Sequence, residues 1–345
     1  MAGINLGLVG INARARNVVI PGFAASDQCR VVAVCSRDVT KATDAAGAVD
    51  GSMPFSDYDD MLRLPALDTV FINTPAAQHH PLALRALRAG KHVICEKPLA
   101  ETVAQAEEMT LEAARMGVRT AVNFTLRSLP GPRTVARLLE QGDIGTLISF
   151  ELMTYQSRGL NPSLPKQSAL ADLGPHVVDL LSWWAAVAGA GHVEQVAATM
   201  TDLDDGRPGA VRGGQLNVAM QASVRLTGQA SGLFGIVRVA PGFGNAYRAS
   251  LFGTRGTVEM FYDTEAPVVR VGKEVGHAVH EPWTTIPIPA DLIVSFKDFP
   301  RVHFGRIAAA LAGRDTFPTF EDGLRAQRLL DALETAGRTG AWVLT

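Results

Sequence analysis

GKHVICEKPLAET, residues 90–102, is the stretch whose reading decides the rest of the chain. Val93, Ile94 and Cys95 make the continuous apolar run of a short buried strand. An acid, a base and a proline follow at once, Glu96, Lys97 and Pro98. A core does not hold an unpaired lysine. The strand therefore ends at an edge, where Lys97 has something to meet.

Working outward, the same kind of run recurs on both sides. INLGLVG (4–10), RVVAVCS (30–36), DTVFINT (68–74) and RTAVNF (119–124) read as four further strands. Helix-like stretches separate them: DVTKATDAAGAV, HPLALRALRAG and TVAQAEEMTLEAARMG. Gly90 and Gly117 are expected to stop the last two. Apolar strands alternating with amphipathic helices predict a parallel sheet covered on both faces. Ligands of such sheets bind beyond the carboxyl ends of the strands, where Glu96 and Lys97 fall.

The totals narrow the function. The 345 residues exceed what one core usually serves, so two domains are expected. With 47% hydrophobic and 19% charged residues the chain is globular, not disordered. A net charge of −2 without long runs of either sign argues against nucleic acid or an anionic membrane as partner. No apolar run approaches 18 residues, so no membrane span is predicted. MAGINLGLVG enters a strand at once and has no basic region ahead of an apolar stretch, so no signal peptide is read and a cytoplasmic location is expected. Cys29, Cys35 and Cys95 are odd in number and lie in strand-like runs, which suits buried reduced thiols and no metal site.

The turn after the first strand reads GINARA (10–15). Gly10 fits the first position of the dinucleotide pattern G-x-G-x-x-G/A, and Ala15 is an accepted third. Asn12 stands where the second glycine belongs. Asparagine tolerates a left-handed backbone, so the turn is still expected to form. A plain strand-to-helix turn is the other reading. At the end of the second strand, where NAD sites place an acid, stand Ser36 and Arg37. A hydroxyl and a guanidinium suit a 2′-phosphate, so NADP is preferred over NAD. A solvated loop arginine is the alternative.

GLVGINARA, NTPAAQH (73–79), ALRAGKHVICEKPLA (86–100), LADLGPHVVDLLSWW (170–184) and the closing FEDGLRAQRLLDALETAGRTGAWVLT together resemble the glucose–fructose oxidoreductase, inositol dehydrogenase and rhizopine-catabolism (Gfo/Idh/MocA) family across essentially the whole chain. The resemblance implies an α/β fold: an N-terminal Rossmann doubly wound parallel sheet, then a C-terminal α+β domain with an open-faced, mainly antiparallel sheet. The expected domains are 1–123 for dinucleotide binding and 124–345 for substrate and oligomerisation, with the last helix able to pack back on the first. It also implies hydride transfer between NADP or NAD and a secondary alcohol or ketone carbon of a sugar, inositol or related polyol. The lysine of the EKP run then touches nicotinamide and substrate, and the bond before its proline is often cis.

On that footing the trio Lys97, Asp172 and His176 is the candidate catalytic set. Asp172 and His176 are four apart, on one face of a helix that begins near Asp172, with Pro175 expected in its first turn. A helix cap and a core-edge histidine are the plainer readings of that pair. Oxidising an alcohol needs a base with a pKa near neutrality, which histidine supplies, so His176 is the candidate base. Lys97 is the cation beside the developing oxyanion, and in the family an acid orients the histidine, here Asp172. The dinucleotide is assigned to Gly10, Asn12, Ala13, Arg14, Ser36, Arg37, Thr74, Pro75, His79, Glu96, Lys97 and Asn123. Substrate contacts are assigned to Lys97, Asn123, Asp172 and His176, with Tyr155, Arg158 and Asn161 as candidates to bond polyol hydroxyls. Arg127 is read as a structural or pyrophosphate contact.

From about residue 145 alternating segments joined by Gly-containing turns predict an antiparallel sheet. One face is left without helices, and pairing through it into a homodimer or homotetramer is expected. Two rival readings remain open: a dinucleotide-binding sugar sensor without turnover, and a lyase or glycosidase that oxidises its sugar transiently with bound NAD.

Overall fold

The alternation at the start of the chain becomes a parallel sheet of six strands in the computed structural model, which describes residues 3–157, 168–203, 216–263, 267–273, 283–292, 294–295 and 297–345. The strands are β1 (Ile4–Val9), β2 (Cys29–Cys35), β3 (Met53–Phe55), β4 (Thr69–Ile72), β5 (His92–Cys95) and β6 (Thr120–Val122). Their order is β3-β2-β1-β4-β5-β6 and every pairing is parallel. This is the doubly wound order, which reverses between β1 and β4. Strand β3 was not foreseen. It is three residues long, largely exposed and holds Pro54, a combination that an edge strand tolerates and a central one does not.

The helices between these strands are α1 (Ile20–Ala24), α2 (Val39–Gly47), α3 (Tyr58–Leu62), α4 (His79–Arg88) and α5 (Val103–Met116). Gly117 caps α5 at φ +63° and Gly90 follows α4 at φ +70°, the stopping roles expected of both. Helix α5 starts at Thr102, whose hydroxyl accepts from Gln105 N–H at 3.2 Å.

Two compact units emerge: Met1–Ser128 with Val294–Gln327, and Leu129–Ile293 with Arg328–Thr345. The first unit thus takes in 294–327, chain that the sequence reading had put with the second except for the last helix, which it allowed to pack back on the first. The reason is apolar. On α8 (Phe299–Leu311) Phe304 stacks 4.6 Å from Phe23 and lies 6.3 Å from Phe71, inside a cluster with Leu6, Leu8 and Val31. Gly22 lets it in: a Cβ there would meet the Phe304 ring at 2.5 Å.

The second unit is built on nine strands. These are β7 (Leu147–Gln156), β8 (Val193–Leu203), β9 (Leu216–Leu226), β10 (Ser231–Val237), β11 (Asn245–Gly253), β12 (Gly256–Asp263), β13 (Val268–Lys273), β14 (Thr284–Ile286) and β15 (Val343–Leu344). Their order is β14-β13-β12-β11-β7-β10-β9-β8-β15, and among these pairings only β7 with β10 is parallel. Helices α6 (Pro130–Glu140) and α7 (Ala169–Val187) cover one face. Leu181, Trp184 and Ala185 pack there on Phe150, Leu152 and Leu251. Trp184 also donates to Pro132 O at 3.1 Å, so its indole is core. The opposite face exposes Leu233, Phe252, Phe261 and Val268. Helix α9 (Phe320–Thr339) closes the chain, its first turns counting with the first unit and the remainder with the second. Among the described residues no helix is long and apolar enough to cross a membrane.

Candidate active site

Strand ends make the site in the first unit. Parallel strands bring Gly10, Ser36, Thr74, Glu96 and Asn123 to one edge of the sheet. Backbone bonds tie the ends together: Gly10 N–H to Cys35 O, Asn73 N–H to Val9 O, Glu96 N–H to Ile72 O and Asn123 N–H to Cys95 O, all within 3.1 Å.

Gly10 has φ +97°, and a Cβ on it would lie 2.6 Å from Asn73 O. Only glycine fits this turn. Asn73 Nδ2 donates to Gly10 O at 2.9 Å and fixes it from the neighbouring strand. Asn12 is not left-handed, contrary to expectation, since Gln229 is the only non-glycine with positive φ among the described residues. Its Oδ1 instead accepts from Ala15 N–H at 2.8 Å, capping the helix that follows. Ala13 and Arg14 open that helix and are solvent-exposed. Thr74 Oγ1 is buried at the next strand end with no hydrogen-bond partner among the described residues. A bare backbone turn at a helix start and a waiting hydroxyl fit a dinucleotide pyrophosphate.

Past β2, Ser36 is half-buried and Arg37 exposed. Asp38 follows, but its carboxylate accepts from Thr40 N–H at 3.1 Å and caps α2. Pro75 is exposed at the end of β4. His79 is buried. Its Nδ1 is 2.8 Å from Pro98 O and its Nε2 2.9 Å from Thr74 O, so it braces two strand-end loops from behind.

The Lys97–Pro98 bond is cis. Lys97 is half-buried and Glu96 buried. Glu96 Oε1 accepts from Asn123 Nδ2 at 2.7 Å and lies 3.7 Å from the Arg14 guanidinium; its Oε2 lies 3.3 Å from the Lys97 amide nitrogen, which donates to it. Asn123 is fully buried, with its amide given to Glu96. Arg127 pairs with Asp322 at 3.1 Å, the structural of its two expected roles. Burial first, then Asp57, pushes Cys35 up to about 11, and burial with Glu96 nearby raises Cys95.

Helix α7 makes the site in the second unit. Ser168 caps it, accepting from Ala171 N–H at 3.0 Å. The helix therefore starts before Asp172, and Pro175 lies inside it instead of in the first turn. Asp172 and His176 still fall four apart on this helix. Arg238 is 3% exposed and donates from Nε to Asp172 Oδ2 at 3.0 Å. No motif pointed to Arg238. It stands just past β10 and reads as one more strand residue. Asp179, 1% exposed, follows His176 by three positions and was also missed.

Tyr155 is not brought to this pair. It shares strand parity with Glu151 and Met153, while Phe150 and Leu152 face α7. Its ring stacks on Phe243 at 4.8 Å and lines a hollow with Arg248, Glu259 and Phe261 on the uncovered face. Arg158 and Asn161 lie outside the described residues.

Comparison with known proteins agrees with these two halves. Residues 4–124 match the Gfo/Idh/MocA model described as an oxidoreductase family with an NAD-binding Rossmann fold, and residues 133–259 match the model of the Gfo/Idh/MocA C-terminal domain. Levoglucosan dehydrogenase of Pseudarthrobacter phenanthrenivorans is 25% identical over 328 residues, 84% of this chain and 82% of that protein. Inositol 2-dehydrogenase 2 of Saccharopolyspora erythraea is 30% identical over 182 residues, 52% of this chain and 53% of its own. Among solved structures, KijD10, a 3-ketoreductase from Actinomadura kijaniata in complex with TDP-benzene and NADP, superposes with a TM-score of 0.73 at 25% identity, covering 97% of this chain and 98% of that one.

Proposed function

The chain belongs to the Gfo/Idh/MocA family and is an oxidoreductase acting on CH–OH, and from that we propose that it interconverts a secondary alcohol and a ketone on a sugar, inositol or related polyol, with NADP preferred over NAD. The observation that carries this reading is the set of hydrogen-bonded strand ends that place Gly10, Thr74, Glu96 and Lys97 on one edge of the parallel sheet. The relatives named for levoglucosan and inositol supply the substrate class. Ser36 and Arg37, with Asp38 committed to its helix cap, support the 2′-phosphate.

When bound, the nicotinamide supplies or accepts the hydride. Gly10, Asn12 and Thr74 would hold its pyrophosphate side and Glu96 its ribose side. His176 takes the hydroxyl proton as the alcohol is oxidised. The Lys97 ammonium lowers the energy of the charge that then grows on oxygen. Asp172, gripped by Arg238, orients the histidine.

The test is direct. Purified protein is mixed with NADP or NAD and a panel of inositols, aldoses, anhydrosugars and sugar acids, and absorbance is followed at 340 nm. Turnover with at least one polyol, and a higher kcat/KM with NADP, is expected. Tightly co-purified cofactor with no net change at 340 nm on any substrate would overturn the dehydrogenase reading.

A further inference from the structure

A line of buried polar groups runs beneath the carboxyl edge of the parallel sheet, and the roles above leave its far end unused. His303, on α8, is 1% exposed. Its Nε2 is 2.6 Å from Asn123 Oδ1 and its Nδ1 2.8 Å from Ser128 Oγ. Arg306 Nη1 donates to the same Ser128 hydroxyl at 3.4 Å. Asn123 Nδ2 donates to Glu96 at 2.7 Å.

Chemistry fixes the protons. A carboxylate only accepts, so Asn123 turns its amide N–H toward Glu96 and its oxygen toward His303. His303 Nε2 must then carry the hydrogen. A guanidinium only donates, so Ser128 accepts from Arg306 and gives its own hydrogen to Nδ1. Every bond points one way, from the Arg306 cation to the Glu96 anion, and bonds in such a series reinforce one another. Burial first, then Arg14 and Arg306, brings His303 down to about 3, which keeps the ring neutral in this single tautomer.

We infer that His303 is a positioning residue: as its Nε2–H tautomer it locks the Asn123 carboxamide, which sets the Glu96 carboxylate next to Lys97. The two ends of a carboxamide are nearly alike in shape. Without His303, a half-turn of Asn123 would set oxygen against the Glu96 carboxylate. Glu96 would then lose its shortest donor and keep only the longer approaches of Lys97 N–H and Arg14. The inference rests on the dinucleotide reading of this edge.

Glutamine and asparagine separate the two ring nitrogens. H303Q keeps a donor near the Nε2 position, and H303N keeps only a group near Nδ1. Dinucleotide Kd from the fluorescence of NADPH, kcat on the best alcohol and the melting temperature are measured for both variants and wild type. H303N is expected to lose roughly tenfold or more in kcat and in affinity, and H303Q to recover most of that loss. Equal losses in the two variants, or losses that merely follow melting temperature, would overturn the role. Histidine ¹⁵N NMR on the wild-type protein decides the tautomer without any substrate. The expected result is a protonated Nε2 and an unprotonated Nδ1, unchanged from pH 8 to pH 5; a ring that titrates in this range would sink the inference. Failure of wild type to bind either dinucleotide, with the NMR result intact, would instead count against the functional reading.

Discussion

Lys97 and His176 are where removal of one group tells most. Lys97→Ala and His176→Ala should each lower kcat by roughly 10²-fold or more while the melting temperature stays within a few degrees of wild type. Loss of stability with normal turnover would contradict their assignment. Lys97, Asp172 and His176 were singled out as candidates because their order and spacing are distinctive. Arg238 and His303 were not, because each gains its meaning from partners 66 and 180 positions away in the chain. His303 also makes a prediction in pH. Its folded-state value, about 3, lies below the roughly 6.5 of an unfolded histidine. The unfolded chain therefore takes up the proton first as pH falls. The related stability is complete above about pH 6.5 and declines toward pH 3, by about 1.4 kcal/mol per pH unit. Arg14 and Arg306, both cations, give the imidazolium no relief. Denaturant unfolding of wild type and H303Q between pH 7 and pH 4 should show the wild type losing ground to the variant; parallel curves would refute it.

At the scale of elements, β1, β2, β4, β5 and β6 with α2, α4 and α5 were readable from apolar runs and glycine stops, while β3, α1 and α3 were not. Two local errors have physical causes. The glycine pattern reserves its second position for close backbone approach, and here a side chain that caps the helix stands there instead. Proline usually marks a first turn, yet Ser168 starts α7 about two turns before Pro175. The cap at Ser168 matters for Asp172, which sits in the turn it nucleates. Ser168→Ala should cost about 1 kcal/mol of stability, read from the urea midpoint at unchanged slope. No change in the midpoint would show that packing alone holds this end. The face that Tyr155 takes was illegible for another reason. Alternation in β7 decides its face, and a single strand does not reveal which parity meets the helices until the covering helix is known.

Over the whole molecule, the antiparallel sheet was expected to leave one face bare, and it does, with Leu233, Phe252, Phe261 and Val268 on it. Apolar groups in such number on one surface favour association. Light scattering at micromolar concentration should return at least twice the mass of one chain, and Phe261→Asp should shift it toward one; a wild-type monomer would remove the idea. What no local reading foretold was the return of residues 294–319, ahead of the last helix, to the first unit. This has a consequence for biosynthesis. A ribosome delivers Phe23 and Phe71 long before Phe304, at about 5–20 residues per second. For that interval the nascent sheet lacks the aromatic wedge that completes its core. Chains stalled before codon 294 should be cut readily by protease in the sheet, and chains released after codon 327 should resist.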